Sequence, residues 1–212
     1  MDALIRFLRA RRWARRSLSA LSLALVLVAV GLLGYPVYTN FSQSRLQNHL
    51  RTQIASPEIK QTYQAHEAKI GDPVTRIRIP KIDVDVVVVE GTTASALKAG
   101  AGHYPTTPLP CEDGNVAIAG HRTTYGKPFA NIDQLKPGDL ITLDTPVGSC
   151  TYEVSGVPFV VLPDGKTPDG GTVIDDTPGQ KTLTLTSCHP KGEASHRIVV
   201  KATIVKGPSA GA

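Results

Sequence analysis

The chain has 212 residues with 23 basic and 18 acidic side chains, a formal charge of +5. The excess is local: residues 1–16 carry six arginines against Asp2, residues 17–38 carry no charge, and residues 39–212 balance at 17 basic and 17 acidic. The high isoelectric point therefore belongs to an N-terminal tail, and no nucleic-acid partner is expected.

Residues 17–35, SLSALSLALVLVAVGLLGY, form one uncharged apolar run. As a helix it is roughly 28 Å long, close to the hydrocarbon thickness of a bilayer. The flanking arginines predict a cytoplasmic N-terminus, and Tyr35 and Tyr38 suit the outer interface. A cleaved secretory signal is the rival; the run is long for one, and no A-x-A-like site follows. The expected order is a basic tail (1–16), a single-pass anchor (17–38), an extracellular stalk (39–73), a catalytic domain (74–206) and a disordered tail (207–212). No second apolar span follows, so the C-terminus is expected outside. In the stalk, Leu46, Leu50 and Ile54 recur on one helical face, Ser56-Pro57 interrupts, and Gly71-Asp72-Pro73 marks the boundary.

Beyond Pro73, short runs rich in Val, Ile and Thr predict strands at 74–79, 84–89, 115–119, 140–144, 151–159, 182–186 and 198–205, separated by Pro/Gly turn signals. Only 93–100 and 129–135 look helical. About 130 residues carry this pattern, enough for one core, and it suggests an antiparallel barrel or sandwich.

The strand 182–186 alternates polar and apolar and delivers Cys188 at its end. Arg197 opens the next strand, and the apolar strand 115–119 runs into Gly120 and His121. A thiol attacks a carbonyl as the thiolate, and a free cysteine titrates at about 8.5. An imidazolium and a guanidinium both favour that anion. The first can protonate a leaving amine and the second can hold an oxyanion. Cys188, His121 and Arg197 are thus a self-consistent set if the fold brings them together. Singly, each also reads as a buried small group, a turn residue or a surface cation. His189 is a rival base, but neighbours on an extended chain point apart. A zinc site from His121, Cys188, His189 and His196 lacks any ligand spacing to support it. With three cysteines outside the cell, Cys111 and Cys150 make the candidate disulfide and Cys188 the free thiol; two reduced cysteines are the alternative.

The motifs NVAIAGHR (115–122), TLTSC (184–188) and Arg197 resemble the sortases, cysteine transpeptidases of Gram-positive surfaces. The likeness runs from about residue 75 to 205. It takes in IPKI (79–82), Glu90-Gly91, residues 97–102 and AGHRTTYGKPFANIDQLKPGD (119–139). It implies an eight-stranded β-barrel with one or two short helices, and His121, Cys188 and Arg197 as the catalytic set. It also implies cleavage of a C-terminal sorting signal between Thr and Gly, with transfer to an amine of a peptidoglycan (lipid II type) precursor and no cofactor or metal. The family's Thr-Leu-x-Thr-Cys departs here at Ser187. RTTYG (122–126), Cys188-His189-Pro190 and His103-Tyr104-Pro105 look most like the class E branch, with an LAxTG-type signal. Tyr104, Ser187, Thr186, Arg122, Tyr125 and His189 are the residues the resemblance places at the substrate, with Tyr104 reading the Ala position. A pilus-polymerising sortase would carry an Asp-Pro-aromatic lid, and here Val74 follows Asp72-Pro73. The acidic residues Glu112, Asp113, Asp164 and Asp169 do not form the calcium set of another class. A non-enzymatic binding module, decided by whether Cys188 is buried or disulfide-bonded, and a thiol hydrolase that releases its acyl product to water are the remaining alternatives.

Overall fold

Four consecutive valines, Val86 to Val89, lie in strand β2 (Val84–Glu90), which has buried side chains on both faces. Val88 points into the main core, while Val87 and Val89 pack with Leu50, Ala96 and Ala99 on the outside. A strand covered on both sides drops polar alternation, which is why the run is continuous. The structure, a computed structural model, describes residues 12–209, so part of the expected basic tail and residues 210–212 lie outside it.

The chain divides into two compact units, Met1–Thr39 and Asn40–Ala212. Helix α1 is assigned over Arg12–Gln53. Its portion in the first unit exposes Leu23, Leu27 and Leu33, and this helix is long and apolar enough to cross a membrane.

The second unit is mainly β. Its strands are β1 (Pro73–Ile79), β2, β3 (Ala101–His103), β4 (Gly114–Gly120), β5 (Leu140–Thr145), β6 (Gly148–Val154), β7 (Phe159–Val161), β8 (Lys181–His189) and β9 (His196–Ser209). They hydrogen-bond in the order β6-β5-β1-β2-β3-β4-β8-β9, and β6 pairs again with β9. That last pairing closes an eight-stranded barrel. The ninth strand, β7, pairs with the N-terminal part of β9, ahead of β6 on the same edge. Inside lie Ile77, Ile118, Phe129, Leu143, Tyr152, Leu183, Leu185 and Val200, all buried.

Several expectations change. The run 151–159 is two strands, because β9 accepts β6 and β7 in succession along one edge. β9 continues past 206, its Ser209 pairing with Ser149. The expected helices are single 3-10 turns, Ala96–Ala99 and Ile132–Gln134. The segment expected as a stalk is packed on the barrel from Asn40 onward. Gln47 Nε2 donates to Val87 O and Ala99 O, both at 2.8 Å, and its Oε1 accepts from Val87 N at 2.7 Å. Helix α2 (Pro57–Gln64) is capped by Ser56, whose Oγ accepts from Ile59 N. It buries Tyr63, whose hydroxyl donates to Pro110 O at 2.7 Å.

Cys111 and Cys150 are bonded, with Cα atoms 5.8 Å apart, joining the loop before β4 to β6. The bridge closes a loop of sequence separation 39, for which chain entropy gives about 4 kcal/mol of stabilisation. We expect Cys111→Ser with Cys150→Ser to lower the unfolding free energy by up to about that amount, read by denaturant titration. Cys188 should stay alkylatable at its wild-type rate, because the bridge lies away from it.

Candidate active site

β8 is the strand that assembles the site. It runs parallel to β4, with Ala119 opposite Thr186, and antiparallel to β9, with Cys188 opposite Arg197. His121 lies two residues beyond Ala119, as Cys188 lies two beyond Thr186. The three side chains therefore emerge at one end of three adjacent strands. Side chains alternate along a strand, so Thr184, Thr186 and Cys188 share the outer face while Leu183 and Leu185 fill the core.

Cys188 is half-buried and is the free thiol among the described residues. His121 is half-buried too. Its ring lies 5.2 Å from that of Tyr125, tilted by 36°, and burial pushes its pKa below the usual histidine value. Backbone hydrogen bonds hold it on both sides: His121 N donates to Gly100 O, and Phe129 N donates to His121 O. Gly120 is required just before it, since a Cβ there would sit 2.5 Å from the buried Phe129 ring. Arg197 Nη1 donates to Ala194 O at 3.1 Å and His196 O at 3.0 Å, and pairs with no carboxylate among the described residues.

Arg197, Thr186 and Tyr104 line a pocket of about 150 Å³, walled by the paired segments 163–165 and 172–174, where Val173 N donates to Gly165 O. Tyr104 and Thr186 share a hydrogen bond of 3.0 Å between their hydroxyls. Three of the expected substrate residues, Ser187, Arg122 and His189, lie on the face opposite Cys188. Ser187 and Arg122 are buried. Ser187 Oγ donates to Gly120 O at 2.7 Å, tying β8 to β4 on the face opposite Cys188. The Arg122 guanidinium reaches Asp133, His189 and the Cys188 carbonyl. His189 adjoins the nucleophile position but lies on the Ser187 side of the strand. Pro73 starts β1, and Asp72 just before it accepts from Glu90 N of β2 through its carbonyl, so the pair is held at the sheet. His196 bonds Ser195, and Glu112 pairs with His66 at 2.8 Å. Asp113 accepts from Gly179 N, and Asp164 from Lys166 N. Among the described residues these acids do not converge as ligands.

The sequence reading missed the polar cluster behind the pocket wall. Lys201 Nζ donates to Val173 O at 2.5 Å and Thr184 Oγ1 at 2.7 Å. Asn115 Nδ2 donates to Val173 O and Asp175 O, while its Oδ1 accepts from Thr184 at 2.7 Å. The available signal was a lysine in the middle of an apolar strand, IVVKATIV.

Residues 77–205 match the family model of the sortase domain. The chain is 31% identical over 150 residues to sortase SrtE1 of Streptomyces coelicolor, covering 64% of this chain and 41% of that protein. It spans less than two thirds of the length of the curated relatives it matches. Among solved structures it resembles a Clostridium perfringens sortase D5 transpeptidase, with TM-score 0.64, 30% identity and coverage of 77% of this chain and 98% of that one. Sortase E from Streptomyces avermitilis is also similar, with TM-score 0.56, 34% identity and coverage of 64% and 90%. A domain match over most of the barrel, a shared closed topology and a free thiol at the mouth of β8 lead to one conclusion: this chain belongs to the sortase family.

Proposed function

We propose that the chain is a membrane-anchored cysteine transpeptidase of class E type, with Cys188, His121 and Arg197 as its catalytic residues. The observation that carries this reading is the register of β4, β8 and β9, which aligns the three at one end of the sheet, beside the Tyr104–Thr186 pocket.

The Cys188 thiolate attacks the carbonyl carbon of Thr in an LAxTG- or LPxTG-type sorting signal. The carbonyl oxygen becomes an oxyanion, and the Arg197 guanidinium, which pairs with no carboxylate among the described residues, stabilises it. When the C–N bond breaks, protonated His121 gives its proton to the departing Gly amine. The thioester that remains is attacked by an amine of a cell-wall precursor, with His121 now accepting the proton, and Cys188 leaves as thiolate. Atoms balance: one amide is exchanged for another. Tyr104, fixed by Thr186, is positioned to read the residue after Leu in the signal. The apolar helix of the first unit anchors the enzyme with its N-terminus cytoplasmic and its barrel outside, where surface proteins and precursor meet. Similarity to SrtE1 and to sortase E supports the class assignment.

The full chain, solubilised in detergent, is incubated with LAxTG and LPxTG peptides and a glycine amine, and products are read by mass spectrometry. A thioacyl adduct on Cys188 that converts to ligated peptide is the expected result, with LAxTG the better signal; cleavage retained in Cys188→Ala removes the mechanism. In Arg197→Ala the thiol should remain alkylatable while transfer falls by about 10²-fold or more.

His121 should titrate below the ordinary histidine value of about 6.5 in an NMR pH series. Its folded value is depressed, so the unfolded chain takes up the proton first; this residue's contribution to stability falls as pH drops from about 6.5 to the folded value and is level below it. Tyr125→Ala lets water reach the ring and should move the midpoint up. An unchanged midpoint would show that burial by Tyr125 is not the cause.

A further inference from the structure

Arg122 follows His121 directly, yet it faces away from the pocket and is 5% exposed. Its guanidinium meets three segments. One nitrogen, Nη2, lies 2.9 Å from Asp133 Oδ1, on the 3-10 turn Ile132–Gln134. The other, Nη1, lies 2.9 Å from His189 Nδ1 and 3.4 Å from the carbonyl oxygen of Cys188. Its Nε is buried without a partner among the described residues.

An arginine has five donors and no acceptor. The atom it meets at His189 must therefore accept, so Nδ1 carries the lone pair and the ring proton sits on Nε2. An imidazolium would set two donors against each other across 2.9 Å. The same fork holds the carbonyl of the residue bearing the thiol, and it does so from the segment that bears His121.

We propose that Arg122 is a positioning residue that fixes the His189 ring as its Nε2–H tautomer and locks the end of β8, with Cys188, against the end of β4, with His121. The catalytic half of this rests on Cys188 being the nucleophile; the tautomer does not. Charge alone is not the device. A planar fork spans acceptors on two directions at once, whereas a lysine is a point charge on a flexible stem. Asp133 is partly exposed and can be hydrated if Arg122 is removed, but His189 and the Cys188 carbonyl lose a buried donor.

The test uses the full chain in detergent. With nitrogen-15 histidine labelling, and His189→Gln to assign the signal, the wild-type His189 should show a bare Nδ1 and a protonated Nε2 near neutral pH. A proton on Nδ1, in either the other tautomer or the imidazolium, overturns the proposal. Arg122→Met keeps the apolar stem and removes the fork. It should give a mixed His189 tautomer and a kcat for peptide transfer lowered roughly tenfold to a hundredfold, with KM within about twofold. Arg122→Lys should recover little of kcat. A raised KM with kcat unchanged in either variant would mean that Arg122 touches substrate, and would also overturn it. Should Arg122→Met not fold, the wild-type spectrum and Arg122→Lys decide. If the wild-type chain forms no adduct on Cys188, the nucleophile reading fails, while the spectrum still decides the tautomer.

Discussion

Everything in the site depends on β8 being paired parallel on one side and antiparallel on the other. The parallel partner, β4, brings His121 to the same end as Cys188, and the antiparallel partner, β9, starts at that end with Arg197. A slip of one residue would turn Cys188 toward the core and bring Ser187 out, since side chains alternate with a period of two. Two side-chain bonds pin the register at opposite ends of the β4–β8 pair. Asn115 Oδ1 accepts from Thr184 at 2.7 Å near one end, and Ser187 Oγ donates to Gly120 O at 2.7 Å near the other. Both are buried, where an unmade bond costs about 1–3 kcal/mol, so each resists displacement.

The same outer face must also carry a wall for the pocket, and a long loop between β7 and β8 supplies it. Such a loop orders its backbone only if its polar groups find partners. Lys201 provides them from β9, and burial pushes its pKa down while Asp175 opposes the fall. Its ammonium donates to Val173 O and Thr184 Oγ1, and Asn115 donates to Val173 O as well. Val173 itself packs with Val161 and Val199 beneath the loop. The wall is thus held by a satisfied polar cluster beside an apolar one, an arrangement that orders the pocket before any ligand arrives.

The barrel was legible wherever burial imposes a pattern. β2 and β4 are covered on both faces and read as apolar runs; β8 is covered on both faces too, but its outer face is the buried threonines 182, 184 and 186, so it alternates. β3 was not legible, because Ala-Gly-His has no period to detect. It forms because Gly102 permits close approach: a Cβ there would stand 2.1 Å from Gly91 O. The three residues proposed as catalytic stand out by motif, but the resemblance places Arg122, Ser187 and His189 at the substrate without regard to the face each occupies. Alternation alone sets Thr186 on the Cys188 side and Ser187 and His189 on the other. Arg122, next after His121, follows the same rule.

The segment expected as a stalk shows why polarity misleads at a barrel's outer surface. β3 begins at Ala101, paired with Val88, so the backbone N–H and C=O of Val87 have no strand beside them. Gln47 answers both with one side-chain amide, doing for β2 what a further strand residue would do. Four and seven residues earlier, Gln43 Nε2 donates to Ala99 O, and Asn40 Oδ1 accepts from Gly126 N. These amides look solvated in sequence because nothing local shows the backbone groups they satisfy. Their combined effect reaches the chemistry. Gly126 holds φ +71 directly after Tyr125, whose ring lies against His121, and a Cβ at 126 would stand 2.6 Å from Gln43 Oε1. The helical stretch that begins at Asn40 therefore fixes the loop that shields His121 from water, and the folded unit has to include it.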